Sequence, residues 1–189
     1  IFDIVKFQNW YYNSGTPKVY INQSWDQEKS ILNVSFEQKL DRDKTNENVE
    51  MVIPILYSCF SREKRGKSIV DDKLFVLDKN KKNLQIKSLS GEKVAPVLSI
   101  FRSFSSPVLW DSDLSTDDHL FLFLYDNDYF SRWDSGQFLM REIIKSRINK
   151  QLKYSLEDRF INAIKESINC LESKDPFFLS TILTLPGLS

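Results

Sequence analysis

One histidine, two cysteines and five scattered glycines are all that this sequence holds of the residues on which most recognisable sites are built. A catalytic zinc site takes three protein ligands, usually including histidines spaced to share a helix face. His119 stands beside Asp117 and Asp118, and neighbours on a helix point in different directions, so these three do not converge on a metal. His119 is expected as a surface or partly packed side chain. Cys59 and Cys170 lie far apart in the chain and in different expected units, which argues against a disulfide framework and for a reduced, cytoplasmic setting. A Cys/His nucleophilic site and a zinc finger both lack their residues, and no glycine-rich phosphate loop is present.

Net charge is missing too. The 26 basic and 26 acidic residues cancel, so the general attraction to phosphate or anionic lipid is absent, and neither nucleic acid nor a membrane is an expected partner. No apolar stretch reaches the roughly 20 residues that cross a bilayer, and no signal segment opens the chain. It begins at Ile1 and stops at Ser189 just as a helical pattern finishes, so it is expected to be a piece of something longer.

What the sequence does hold is material for a core: 41% hydrophobic residues, with 14 Phe and 4 Trp, enough to offset chain entropy. From about 18 to 104 the pattern is one of short strands. Val19 and Ile21 alternate with polar neighbours, as do Leu32, Val34 and Phe36, which places one apolar face inward at period two. Met51 to Tyr57 is a more continuous apolar run, but Pro54 cannot donate to a ladder, so this strand is an edge or carries a bulge. After the charged turn Arg62 to Lys67, with Gly66 giving backbone freedom, Leu74 to Leu77 and then Leu84, Ile86 and Leu89 fall at strand spacing, with Asn80 to Asn83 as the turn between them. Val94 to Phe104 is the last long apolar stretch, and Pro107 fixes an extended exit. About seven strands result, the number of an immunoglobulin-like sandwich. Asp41 to Glu50 is polar and is predicted to be an exposed loop.

Near Ser112 the period changes. Ser115 or Thr116 can cap a helix with Asp117 and Asp118 in its first turn and Leu120 to Leu124 buried. Asp126 or Asp128 can cap the next, whose Phe130, Trp133, Met140, Ile144 and Ile148 recur down one side with Leu139 and Ile143 beside them; Gly136 would allow close packing. Ser155 with Asp158 approximates a capping box before Leu156, Phe160, Ile164, Ile168 and Leu171. Asp175 then precedes Pro176 as an N-cap, and Pro186 closes the segment from Phe177 to Leu185. The fold expected is therefore mainly β and then α: an immunoglobulin/fibronectin-like antiparallel β-sandwich over 1–110, and over 111–189 helices that begin an α-solenoid. Exposed apolar surface is expected near Phe177, Leu183 and Leu185.

Two charged clusters invite chemistry and fail its tests. For Asp111, Asp113, Asp117, Asp118, Asp126 and Asp128, a calcium loop counted from Asp111 puts Thr116 at the glycine position and Leu122 where a bidentate glutamate belongs, so helix capping explains these acids better. Arg62, Lys64, Arg65 and Lys67 have no aromatics among them and read as a solvated turn. Trp10, Tyr11 and Tyr12 could form a binding platform, although aromatics more often fasten a chain onto a core. No residue is assigned as catalytic, cofactor-binding or metal-binding.

Four segments, in order, resemble the bacterial aminopeptidase N family. Trp10-Tyr11-Tyr12-Asn13-Ser14-Gly15-Thr16-Pro17 resembles its lead-in to the third domain, and Phe104-Ser105-Ser106-Pro107-Val108 its exit from that domain. The run from Asp128 to Gln137 is similar to its Asp-x-Phe-x-Arg-Trp-Asp/Glu-Ala-x-Gln helix, and Ile182-Leu183-Thr184-Leu185-Pro186 to a Leu-Thr-Leu-Pro segment. Asn13, Ser106 and Ser135 depart from the family's glutamine, alanine and alanine. The resemblance implies a four-domain zinc exopeptidase that removes N-terminal residues from peptides, of which this chain holds the β-sandwich spacer and the first helices of the helical domain. The family's His-Glu-x-x-His and Gly-x-Met-Glu-Asn motifs do not occur here, so no catalytic residue carries over. Zinc would belong to the parent's catalytic domain, which is the expected partner within the same chain, and peptides would be met only through the parent. The alternative is a free-standing sandwich module that binds protein or carbohydrate.

Overall fold

The computed structural model describes residues 4–40, 49–87, 91–151, 154–171 and 176–187, the side chains of Tyr154, Cys170 and Leu171 excepted. The chain forms two compact units, Ile1–Asp113 and Leu114–Ser189.

In the first unit two short helices, α1 (Ile4–Phe7) and α2 (Asn9–Tyr12), precede seven strands: β1 (Lys18–Asp26), β2 (Ile31–Lys39), β3 (Ile53–Phe60), β4 (Ser68–Leu77), β5 (Lys81–Ile86), β6 (Val97–Ile100) and β7 (Leu109–Ser112). They form two sheets, ordered β5-β2-β1-β7 and β4-β3-β6. The alternation read from the sequence is what lays Val19, Ile21, Leu32, Val34 and Phe36 of one sheet and Ile53, Ile55, Cys59, Val70 and Leu77 of the other into one core.

Several expectations need correction. The run Val94 to Phe104 is not one strand. β6 covers only Val97–Ile100, and the chain then turns through a 3-10 segment, Arg102–Phe104, with left-handed φ at Phe101, Ser103 and Phe104. The exit is also more than extended chain: Leu109–Ser112 pairs parallel with β1, Lys18 facing Leu109 and Ile21 facing Ser112, a contact between ends of the unit that no local pattern encodes. Lys81, Lys82 and Asn83 belong to β5 and not to the turn before it. Lys82 folds back to Asp78 at 2.7 Å and to the Val76 carbonyl at 2.8 Å, so its charge stays solvated at the sheet margin. Of the polar run Asp41 to Glu50, residues 41–48 lie outside the described residues, while Glu50 is held by Lys6 at 2.6 Å; Leu89 and Asp175 lie outside them as well.

The second unit packs α3 (Thr116–Tyr125), α4 (Tyr129–Ile148), α5 (Tyr154–Leu171) and α6 (Pro176–Ile182) around Leu120, Phe123, Leu139, Met140, Leu156, Phe160, Ala163, Phe178 and Ile182. Ser115 caps α3 in a full capping box with Asp118, and Asp128 caps α4 by accepting from the Ser131 amide at 2.9 Å. Ser155 does not cap α5, because the helix already includes Tyr154. The side of α4 predicted to be buried is only partly so: Ile144 is 40% and Ile148 74% exposed, while Arg132, Ser135, Gly136, Gln137, Leu139 and Met140 are buried. Small and polar residues occupy the inner face because α3 approaches so closely there. A methyl group added at Gly136 would sit 3.1 Å from the Phe123 ring. Phe177, Leu183 and Leu185 are exposed, as the sequence led one to expect.

Candidate functional site

The four motif segments meet in two places, one in each unit. At one end of the sandwich, the Trp10 indole donates to the Val52 carbonyl at 2.9 Å, anchoring the lead-in beside the start of β3. The exit turn reaches the same strand. Ser105 Oγ accepts from the Leu56 amide at 3.1 Å, and Ser106 Oγ donates to the Pro54 carbonyl at 2.5 Å. These bonds explain how a proline is tolerated in β3, the middle strand of its sheet. β6 pairs with β3 only from Tyr57 to Phe60, so Pro54 lies on a stretch open on that side, and two serine hydroxyls stand where a neighbouring strand would be. An apolar cavity of about 330 Å³ between the two segments is lined by Phe7, Trp10, Tyr11, Val52, Pro54 and the exit residues Ser105 to Pro107. Tyr11 and Tyr12 are 80% and 75% exposed, so of the three aromatics only Trp10 is buried enough to fasten the lead-in, helped by Lys6 and Asn9, which both bond Glu50.

In the helical unit, the segment Asp128 to Gln137 forms the centre. Arg132, 8% exposed, donates from Nε to the Phe123 carbonyl of α3 at 2.9 Å and from a terminal nitrogen to Ser167 of α5 at 3.3 Å. Its guanidinium also lies 5.2 Å from the centre of the Phe178 ring of α6. Tyr129 stacks on the same ring at 4.2 Å, and the Gln137 amide donates to the Thr184 carbonyl at 2.9 Å, so the third motif segment holds the fourth. Trp133 is half-buried and meets Phe130 at 5.7 Å. One planar fork thus ties α4 to three other helices.

His119 is not at the surface. It is 6% exposed, stacks on Phe138 at 3.8 Å and lies 3.4 Å from Ser135 Oγ. Burial pushes its pKa down to about 4, against a smaller opposing pull from Asp118. Asp134 nearby in α4 moves the other way, pushed up to about 6 by burial despite Arg141. Among the described residues no group of three or more His, Cys, Asp or Glu side chains is placed to hold a metal. The acidic cluster is dispersed: Asp111 faces Lys18 at 3.9 Å, Asp113 accepts from the Gln23 amide, Asp117 pairs with Arg159, and Asp118 and Asp128 cap helices. The basic turn is pinned and not simply solvated, since Arg62 donates to the Ala95 carbonyl and Lys64 meets the buried Glu92 at 3.0 Å. Gln38 is a residue that the sequence pattern did not single out. It is buried, and its side-chain amide donates from Nε2 to the Met51 and Lys79 carbonyls and accepts at Oε1 from the Met51 backbone N–H, closing the end of β2 onto the approach to β3.

Residues 15–113 match a family described as a domain of unknown function, DUF3458, with an Ig-like fold, and residues 116–189 match its C-terminal companion, described as ARM repeats. The chain belongs to the DUF3458 family. Similar curated proteins include aminopeptidase N of Haemophilus influenzae, 26% identical over 97% of this chain, of Caulobacter vibrioides, 28% identical over 98%, and of Escherichia coli, 25% identical over 99%. This DUF3458 chain spans 22%, 21% and 22% of their respective lengths, so it corresponds to a segment of an aminopeptidase N-like polypeptide. A solved structure of Legionella pneumophila aminopeptidase A in complex with aspartic acid has the same fold, with a TM-score of 0.82 over 98% of this chain and 20% of that one at 24% identity.

Proposed function

We propose that this chain is the non-catalytic, geometry-setting part of an aminopeptidase N-like zinc metallopeptidase that hydrolyses N-terminal residues from peptides in the cytoplasm. Residues 1–110 would be the spacer, and 111–189 would open the helical domain that closes over the parent's active site, limiting access and excluding water. The observation that carries this reading is the use made of the shared motif residues. Trp10, Ser105, Arg132 and Gln137 all direct their polar atoms to bonds inside their own unit, as a scaffold requires.

Among the described residues, none forms a set that fits zinc. The sole histidine is buried against Phe138 and Ser135, and Cys59 is buried in the sandwich core. The metal and the bond-breaking groups therefore belong to the remainder of the parent, which is the partner of this segment; peptides are met only there. A free-standing binding module is the weaker reading, because the same aminopeptidases match along both units in order. The test compares residues 1–189 with the full parent chain for release of an N-terminal amino acid from a chromogenic amide, and for bound zinc. Activity and metal in the parent alone are expected. Stoichiometric zinc and peptide cleavage by 1–189 would overturn the proposal.

A further inference from the structure

The exit turn carries a backbone cost. Phe101, Ser103 and Phe104 have φ of 53°, 53° and 51°, a left-handed conformation that disfavours any residue with a Cβ. Something must hold it. Arg102, 3% exposed although it lies within this turn, donates from Nε to Asp72 Oδ1 of β4 at 2.6 Å and from Nη1 to Ser99 Oγ of β6 at 3.2 Å. Ser58 of β3 donates to the same Asp72 oxygen at 2.7 Å, and the guanidinium lies 5.6 Å from the Phe60 ring centre. Because β3 lies between β4 and β6, the arginine spans the whole three-stranded sheet. The β3–β4 register slips beside Ser58, where one residue of β3 faces two of β4, the kind of bulge that re-aims a side chain.

We propose that Arg102 is a latch: its reach to Asp72 keeps the strained turn closed, and the closed turn delivers Ser105 and Ser106 to the open stretch of β3 at Pro54 and Leu56. This holds whether or not the parent cleaves peptides. Opening the latch would bare a sheet edge, the template for pairing with another strand.

The test is amide exchange on the 189-residue chain. In Arg102→Lys, which loses the planar fork, the Leu56 amide is expected to exchange about tenfold faster while amides of the β1–β2 ladder keep their rates. Ser103 is exposed, so Ser103→Gly relieves the turn without disturbing packing, and adding it to Arg102→Lys should restore about threefold of the lost protection. Ser105→Ala should also free Leu56, but Ser103→Gly should not rescue it, since the acceptor itself is gone. Unchanged Leu56 exchange in Arg102→Lys would overturn the latch. So would failure of the glycine rescue, or rescue of Ser105→Ala. If Arg102→Lys does not fold, Asp72→Asn at the half-exposed end of the pair takes its place under the same criteria.

Discussion

Removing the Arg132 side chain should loosen the helical unit about as much as removing a buried apolar side chain of the same helix, polar though it is. Arg132→Ala leaves the Phe123 carbonyl without the donor that lies 2.9 Å away, inside a core where Phe123 itself has no exposed surface. An unsatisfied buried acceptor costs about 1–3 kcal/mol. The face of Phe178 loses its cation, about 1–2 kcal/mol when desolvated, and Ser167 loses a partner. Together these come to roughly 3–5 kcal/mol, within the range seen when a buried polar network is broken. Arg132→Lys keeps the charge but cannot serve α3 and α5 from one rigid plane, so it should fall between Ala and the parent residue. Urea unfolding followed by far-ultraviolet circular dichroism reports chiefly on the helices, and the midpoint shift multiplied by the slope gives the cost. A loss below about 1 kcal/mol in Arg132→Ala, or equal losses for Lys and Ala, would refute the view of Arg132 as the tie between helices.

The two shifted groups of the helical unit make opposed pH predictions. His119, with a folded pKa of about 4 against about 6.5 unfolded, adds stability that is complete above pH 6.5 and is lost as pH falls through 4, about 3 kcal/mol in all. Asp134, raised to about 6, adds stability below its unfolded pKa and loses it as pH rises through 6. The unaltered chain should therefore show a flattened stability profile from pH 4 to 7, His119→Phe should become more stable toward acid, and Asp134→Asn less stable toward acid; parallel profiles in all three proteins would contradict this. Trp133→Ala, worth roughly 3–5 kcal/mol were the ring fully buried, should cost only about 1–2 kcal/mol because the ring is half-buried, as a thermal melt can check. Cys59 is fully buried and its thiol is pushed up to about 12 by desolvation, so in a Cys170→Ser background no thiol should react with a disulfide reagent until denaturant is added.

Period-two and helical patterns are local properties, and the sequence displayed them wherever one face of an element is buried by its neighbours. In β2 the alternation holds at Leu32, Val34 and Phe36, all inward, and Ser115, one of the two caps the sequence offered, does cap α3. α4 reads poorly, since much of its inner face is built from Arg132, Ser135 and Gln137, residues whose usual hydrophobic rank says surface. The motif segments were visible as a resemblance, but that the lead-in and exit converge on β3, or that Gln137 holds Thr184, was not.

The amino-acid order by itself thus determined the change from strands to helices near Ser112, the apolar faces of the strands, the starts of α3 and α4 to within two residues, and the scarcity of metal ligands, because each depends on residues within a few positions of one another or on composition. Only the tertiary structure decided the parallel pairing of β7 with β1, the left-handed exit turn under Arg102, the burial of His119 and the exposure of Tyr11 and Tyr12. Those outcomes depend on which distant surfaces meet, and the free energy of a buried polar group is set by the partner it finds there and not by its neighbours in the chain.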